Sequence, residues 1–187
     1  MTLAASFTGL YCKLGHFEQS LENLLWAVVQ GQPETGEGHV LLDRYEMMTS
    51  DLIGLVREAR EAAEDGREGT QTRLDLARTR QALVACQGRL NQVSGRFYSE
   101  LVSFEWIDAL NNLARERGSQ WAKWVQGVRD ALNLCPQPLY DVGQELFSCW
   151  QDLTEQTHLL AVPAQTGGPG QDADVLRIET DQAPGAT

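Results

Sequence analysis

The chain has 187 residues, of which 42% are hydrophobic, so it can build the core of one folded domain and is not disordered throughout. Its 26 acidic and 15 basic residues give a formal net charge of −11, which argues against binding to nucleic acid or to an anionic membrane surface, because both need clustered Lys and Arg. No apolar run approaches the roughly 18 residues of a membrane-spanning helix.

Apolar residues recur every seven positions in four segments of the chain. These segments begin at Phe7, Leu41, Leu76 and Leu139. Because alternating steps of three and four place such side chains on one stripe of an α-helix, each stripe has to be buried against another stripe. The repeat therefore predicts an all-α fold of long helices packed at shallow angles.

The first two predicted helices are separated by a short connector. The first helix covers about 5–30, and a loop rich in Gly and Glu follows over 32–38. The second helix covers about 39–65, since Gly66 and Gly69 favour a break there.

The third predicted helix is unusually long. Thr70 is its predicted N-cap, and the helix extends to about residue 117. At about 1.5 Å per residue, this very long third helix would measure on the order of 70 Å. Gly118 is predicted to end it, and Ser119 to begin a fourth helix after a tight turn.

Prolines divide the last part of the chain. Pro136 and Pro138 interrupt the fourth helix, because proline removes a hydrogen-bond donor and clashes with the preceding turn. A final helix over about 138–161 is expected after them. From Pro163 onwards the composition changes to Gly, Gln, Asp and Ala, so residues 163–187 are predicted to form a disordered acidic tail.

These elements predict a helical bundle domain over residues 1–162. Its core is expected to be an antiparallel four-helix bundle built from 7–30, 39–65, 70–96 and 138–161. The remaining helical hairpin, about 97–135, is expected to project beyond this core or to fold back onto it.

The two arms of that hairpin are predicted to share a weak point. If they run antiparallel from the turn at 118, Pro136 lies beside residues near 99, and Gly95 falls just before that level. Gly95, Pro136 and Pro138 are therefore the predicted hinge residues.

The hairpin also carries the predicted partner-binding residues. Trp106, Trp121 and Trp124 are three of the five tryptophans in the chain. Large aromatic side chains dominate interface energetics, and two helices alone cannot bury them. The alternative is that the three rings pack against one another and against aliphatic neighbours such as Val125 and Val128.

A metal-binding site inside the bundle is an alternative to a role in protein binding. Di-iron bundles place a Glu-x-x-His pair on each of two helices, and this chain has one such pair, Glu155 and His158. It has no motif of a nucleophilic enzyme. No catalytic, metal-binding or cofactor-binding residue is therefore assigned, and Glu155 and His158 are interpreted as a solvated helix end.

The cysteines indicate a reducing compartment. The chain has four, with no CxxC or other close pair: Cys12, Cys86, Cys135 and Cys149. We interpret them as free thiols, which favours a cytoplasmic location.

The leading functional hypothesis is a non-enzymatic helical protein that binds other proteins, or a second copy of itself, as an adaptor or a subunit of an assembly. No nucleic acid, membrane or cofactor is expected as a partner. Two alternatives stay open: an acidic inhibitor or nucleic-acid mimic that occupies a basic site, and a small metal- or cofactor-binding bundle.

Overall fold

The structure is a computed structural model that describes residues 2–30, 39–71 and 74–161. Every regular element within these ranges is helical: α1 (Leu3–Gln30), α2 (His39–Gln71), α3 (Leu76–Arg96), a π-helical turn (Phe97–Leu101), α4 (Phe104–Glu116), α5 (Ser119–Asn133) and α6 (Pro136–Ala161). The predicted all-α fold is thus confirmed for the described part of the chain. The predicted loop at 32–38 and the predicted tail at 163–187 lie outside it.

The four longest helices each contact two others of the set. Helix α1 lies against α2 and α6, and α3 lies against the same two helices. Helices α1 and α2 run antiparallel, because Tyr11 lies against Arg67 whereas the later residue Glu18 pairs with the earlier Arg57. Helices α2 and α3 are also antiparallel, and so are α1 and α6, because in both pairs later residues of one helix contact earlier residues of the other. None of the described helices has the length and hydropathy needed to cross a membrane.

The heptad side chains form the core. Phe7, Leu14 and Leu21 on α1 are fully enclosed. Leu83 on α3 and Leu146 on α6, which the sequence pattern requires to be inside, are also buried. At roughly 25 cal/mol for each Å² of apolar surface removed from water, this packing is the main favourable contribution to folding.

The predicted end of the second helix at residue 65 is wrong. Helix α2 continues through Gly66 and Gly69 to residue 71, and both glycines are buried. A Cβ at Gly66 would overlap the ring of Phe7, and one at Gly69 would lie 3.3 Å from Thr79 Oγ1. These glycines let neighbouring helices approach closely, and the packing they permit outweighs their poor helix propensity.

The N-cap of the third helix is also corrected. Thr70 lies inside α2, where its hydroxyl donates a hydrogen bond to the carbonyl of Arg67 at 2.7 Å. Asp75 caps α3 instead, and its carboxylate accepts from the backbone N–H of Arg78 at 3.1 Å. Aspartate is favoured at this position because it satisfies a free N–H of the first turn.

The very long third helix is not continuous. It passes into the π-helical turn and breaks at Val102, and Ser103 then caps α4 by accepting from the N–H of Trp106. Tyr45 of α2 holds this break in place, since its hydroxyl donates to the carbonyl of Leu101 at 3.3 Å. Neither Gly nor Pro occurs at the break, so a tertiary contact and a serine cap produce it.

The hairpin of α4 and α5 turns at Gly118, as predicted. This glycine has a φ of 90°, a value that residues with a Cβ rarely adopt. Helix α5 then packs against α1, and the indole N–H of Trp124 donates to the carbonyl of Val28 at 3.2 Å. The second arm of the hairpin is therefore folded against the body of the molecule.

Candidate interaction surface

The three tryptophans of the hairpin are buried within the chain. Trp106, Trp121 and Trp124 expose 8%, 4% and 5% of their surface. Trp106 packs edge-on against Tyr45 with ring centroids 4.9 Å apart, and Trp121 and Trp124 pack edge-on at 5.7 Å. Their role in partner binding stays a prediction, and in this conformation they offer a partner very little surface.

The predicted hinge residues lie at or near the two interruptions of the helices. Helix α5 ends at residue 133, and Pro136 and Pro138 occupy the first turn of α6, where a missing N–H is tolerated. Gly95 lies within α3, seven residues before the break at Val102. Val102 and Pro136 line one cavity of about 310 Å³, so the two interruptions do lie at the same height.

The buried thiols are unsuited to nucleophilic chemistry. Burial raises the pKa of Cys86 and of Cys135 to about 12, and burial together with nearby Glu145 raises the pKa of Cys149. These three side chains therefore stay protonated near neutral pH, whereas the thiolate is the reactive form.

The remaining metal-type side chains are dispersed. His158 and Glu155 are exposed near the end of α6. Across residues 2–30, 39–71 and 74–161, no three His, Cys, Asp or Glu side chains are grouped in a way that would hold a metal ion.

Charges on the contact between α1 and α2 neutralise one another. Glu18, which is buried, accepts hydrogen bonds from Arg57 Nε at 2.6 Å and from Arg60 Nη1 at 3.1 Å. The guanidinium of Arg60 lies 4.3 Å from the centroid of the Tyr11 ring. A cavity of about 360 Å³ adjoins this cluster, and its lining includes three glutamates and two arginines, so the opposite charges largely offset each other.

Three arginines of α3 are directed sideways towards α2. Arg89 Nε pairs with Glu58 at 2.7 Å, and Arg96 Nη2 pairs with Asp51 at 3.1 Å. Arg78 pairs in the same way with two acidic groups near the end of α2. Four acidic side chains of α2 are thus partly neutralised within the molecule: Asp51, Glu58, Asp65 and Glu68.

The acidic groups in the middle of α6 are directed sideways towards α1. Asp141 pairs with Lys13 at 3.5 Å, and the buried Asp152 accepts a hydrogen bond from Ser6. The carboxylate of Glu145 lies beside Gly9, where a Cβ would collide with it.

This arrangement leaves the middle of the outer surface between α3 and α6 without a charged side chain, whereas the exposed Glu155 adjoins one end and lines a cavity with Phe147, Gln151 and Thr154. We call this surface the α3/α6 face and define it by Val84, Gln87, Gly88, Asn91, Ser94, Gly95 and Tyr98 of α3 and by Tyr140, Gly143, Gln144, Phe147, Gln151 and Thr154 of α6. Its apolar side chains are half or more exposed: Tyr140 at 62%, Phe147 at 59%, Val84 at 56% and Tyr98 at 52%. A groove of about 400 Å³ runs between the two helices, with Leu90, Leu139 and Leu146 among its walls.

Exposed aromatic side chains elsewhere are more scattered. Trp26 on α1 and Phe104 at the start of α4 are both exposed. Neither shares its helix with a second exposed aromatic side chain, whereas α6 presents both Tyr140 and Phe147. The α3/α6 face is therefore the strongest candidate site on the described surface.

Three glycines of the α3/α6 face have no packing role within the chain. A Cβ at Gly88, Gly95 or Gly143 would meet no atom within 4 Å. Glycine inside a helix costs about 1 kcal/mol relative to alanine, and contacts within the molecule do not explain this cost here. Glycine at such positions does permit another backbone to approach closely.

The sequence holds a signal for this face that the analysis of core stripes missed. On α6, a second stripe follows steps of four, three, four and three through uncharged residues: Tyr140, Gln144, Phe147, Gln151 and Thr154. The steps are those of a heptad stripe, but the stripe lies on the outside of the helix. A search for uncharged positions on the outer side of each helix would have found it.

Comparisons of the chain with models of protein families, with curated proteins and with solved structures find no significant match.

Proposed function

We propose that the protein is a non-enzymatic subunit of a protein assembly and that it binds protein through the α3/α6 face. The observation that carries this proposal is a group of exposed aromatic side chains surrounded mainly by uncharged residues, on a chain of net charge −11. The centres of protein interfaces are depleted in charge and enriched in aromatic residues. Contiguous exposed apolar surface of this kind is uncommon on proteins that act alone.

The long helices suit a scaffold for such a face. Helices α1, α2, α3 and α6 form, in our interpretation, an antiparallel four-helix bundle in which α1 and α2 support α3 and α6 from behind. The salt bridges from α3 to α2 and from α6 to α1 fix the rotation of both outer helices. The aromatic side chains of the face therefore project from a rigid support, which reduces the entropy lost on binding.

The chemistry of the α3/α6 face favours binding over catalysis. The polar groups by which it is defined are amides and hydroxyls, and the adjoining carboxylate of Glu155 is exposed to solvent and belongs to no group of metal-type or catalytic side chains in the described residues. General acid–base or nucleophilic catalysis needs a titratable group within hydrogen-bond reach of the substrate. Three buried cysteines that remain free thiols also support a cytoplasmic location as part of the proposal.

Introducing one charge into the face tests the proposal. Tagged wild-type chain, Phe147→Glu and Met47→Glu would be produced in the source organism, and their native sizes compared by gel filtration of the extract. Phe147 and Met47 are both 59% exposed, so the second variant is a matched control on α2. We expect a complex larger than one chain for wild type and for Met47→Glu, and its loss for Phe147→Glu.

Two results would reject the proposal. One is a wild-type chain that elutes as a free monomer in the extract. The other is a complex that survives Phe147→Glu unchanged, because that complex would use another surface. Circular dichroism of the purified variants checks that each is folded as wild type is.

A further inference from the structure

We infer that a cleft at the base of the α4–α5 hairpin binds a small organic monocarboxylate with a short aliphatic chain. The cleft is the cavity of about 310 Å³ whose walls include Val102 and Pro136. We call it the hairpin-base cleft, and its other walls are Ile107 of α4 and Gln126, Arg129, Leu132 and Asn133 of α5. The inference does not rest on the α3/α6 face, because the two sites share no residue.

Arg129 is a half-buried cation that pairs with no carboxylate of the described chain. Its Nη2 donates to the side-chain oxygen of Asn111, which is a neutral acceptor. The other half-buried basic side chains of the described ranges each pair with an acidic group: Lys13, Arg60, Arg67 and Arg96. A charge that is partly removed from water is stabilised by an opposite charge, and Arg129 lacks one within the chain.

The surroundings of Arg129 leave room for an anion. None of the described residues that line the cleft is acidic. Asp130 is exposed and accepts a hydrogen bond from the amide of Gln126 at 2.8 Å, and Asp108 of α4 is also exposed, so solvent and salt screen both carboxylates. Helix α6 begins at Pro136 on the cleft wall, and the positive end of its dipole therefore lies at the cleft.

The walls of the cleft define the class of ligand. The Nε and Nη1 groups of Arg129 remain available, and a guanidinium binds a carboxylate through two parallel hydrogen bonds. Val102, Ile107 and Leu132 supply apolar surface for an aliphatic chain. A second negative charge would meet no second cation in the cleft, on a chain of net charge −11, so a monocarboxylate fits better than a phosphate ester.

An occupant of the cleft would connect the two interruptions of the helices. Val102 lies at the break before α4, and Pro136 lies at the start of α6. Helix α4 packs mainly against α5. A ligand that contacts α4, α5 and α6 together therefore restricts movement of the hairpin about these breaks, and binding should slow hydrogen exchange in α4.

The experiment titrates the purified, isotope-labelled full-length chain with sodium hexanoate at pH 7 and constant ionic strength. Backbone amide chemical shifts near Val102 and Asn133 should change saturably. A dissociation constant in the millimolar range is expected for a ligand of about eight heavy atoms. Acetate, which lacks the apolar chain, and hexanamide, which lacks the charge, should each bind at least tenfold more weakly.

Two variants remove the anion site in different ways. Arg129→Gln removes the cation, and Asn133→Asp supplies Arg129 with a carboxylate of its own, so each should weaken hexanoate binding at least tenfold. Asn133 is exposed, so the second variant keeps the test open if Arg129→Gln does not fold. Arg80→Gln is the matched control, because Arg80 also pairs with no carboxylate of the described chain but is exposed on α3.

Any of four outcomes would overturn the inference. These are no saturable shift with hexanoate up to about 50 mM, well above the expected dissociation constant, acetate or hexanamide binding as tightly as hexanoate, undiminished binding in Asn133→Asp, and an equal loss in Arg80→Gln. None of them bears on the proposed function, which the Phe147→Glu comparison in extract tests separately.

Discussion

The α4–α5 hairpin and the α3/α6 face are both rich in aromatic side chains, but their surroundings differ. The tryptophans of the hairpin are enclosed because α5 packs along α1 and Trp106 packs against Tyr45 of α2. The aromatic side chains of the α3/α6 face are exposed because no other helix of the described chain covers the outer side of α3 and α6. An aromatic cluster therefore indicates a binding surface only after the partners within the chain have been identified.

Charge distinguishes the two regions as well. The exposed end of the hairpin carries Arg115, Glu116 and Lys123, so its outer surface is that of an ordinary solvated helix pair. The middle of the α3/α6 face lacks such groups, although Glu155 adjoins one end of it. This region is therefore the more apolar of the two surfaces, and contact with a protein partner would remove more apolar area from water there.

The sharpest test of this comparison is Trp124→Ala. Removing a buried tryptophan leaves a cavity and ends its hydrogen bond to Val28, so we expect unfolding in urea to show a loss of about 3–5 kcal/mol. Trp26→Ala is the control, because Trp26 is 68% exposed and its truncation should change stability by no more than about 0.5 kcal/mol.

The same variant also tests the tryptophans as partner-binding residues. The folded fraction of Trp124→Ala should still form the complex seen in extract, since the residue lies on α5, away from the α3/α6 face. If Trp124→Ala keeps its stability but loses its complexes, the hairpin is the interaction surface and the comparison is reversed.

The part of the fold that the sequence predicts is the part that repetition determines. The heptads place Leu21, Leu83 and Leu146 inside because one buried stripe on a helix requires another to cover it. Gly118 and the two prolines near 136 mark a turn and a break through backbone chemistry that acts locally. Such rules need no knowledge of which helix lies next to which.

The features that the sequence does not predict depend on neighbours distant in the chain. Gly66 looks like a helix breaker until Phe7 is seen against it, and the break at Val102 needs Tyr45 of another helix. The α3/α6 face is an intermediate case: its stripe on α6 can be read in the sequence, but only the structure shows that Arg89 and Asp141 are directed towards neighbouring helices.

Unfolding at alkaline pH tests whether the core beneath the α3/α6 face is closed to water. Cys86 donates to the carbonyl of Ala59 at 3.1 Å and, with its pKa raised to about 12, keeps its proton when folded. The unfolded chain releases that proton above about pH 8.5. The contribution of the protonated Cys86 thiol to the free energy of unfolding is therefore complete below this pH and is lost as the pH rises towards 12. Each such thiol should lower the free energy of unfolding by about 1.4 kcal/mol per pH unit.

Denaturant unfolding between pH 7.5 and 10.5 measures this slope. Cys86→Ala should reduce the slope by the contribution of one thiol. A slope that is unchanged in the variant would mean that Cys86 titrates normally in the folded chain. In that case the groove between α3 and α6 admits water to the core.

A smaller effect separates a buried glycine from one that faces open space. Gly66→Ala forces a methyl group against the fully buried ring of Phe7 and should destabilise the chain by about 1–3 kcal/mol. Gly54→Ala on the same helix has open space, so helix propensity should make it stabilising by about 0.5–1 kcal/mol. Equal melting temperatures for the two variants would show that Phe7 does not pack on Gly66.

A change of similar small size is expected at Gly143 of the α3/α6 face. Gly143→Ala should raise the free energy of unfolding by about 0.5–1 kcal/mol, because alanine favours the helix and nothing lies near the added methyl group. In the extract, Gly143→Ala should weaken the complex, because the methyl group takes space next to a partner bound on this face. Gly127→Ala on α5, which is equally open, should gain stability without any loss of the complex. If both variants form the complex as wild type does, Gly143 has no part in the contact.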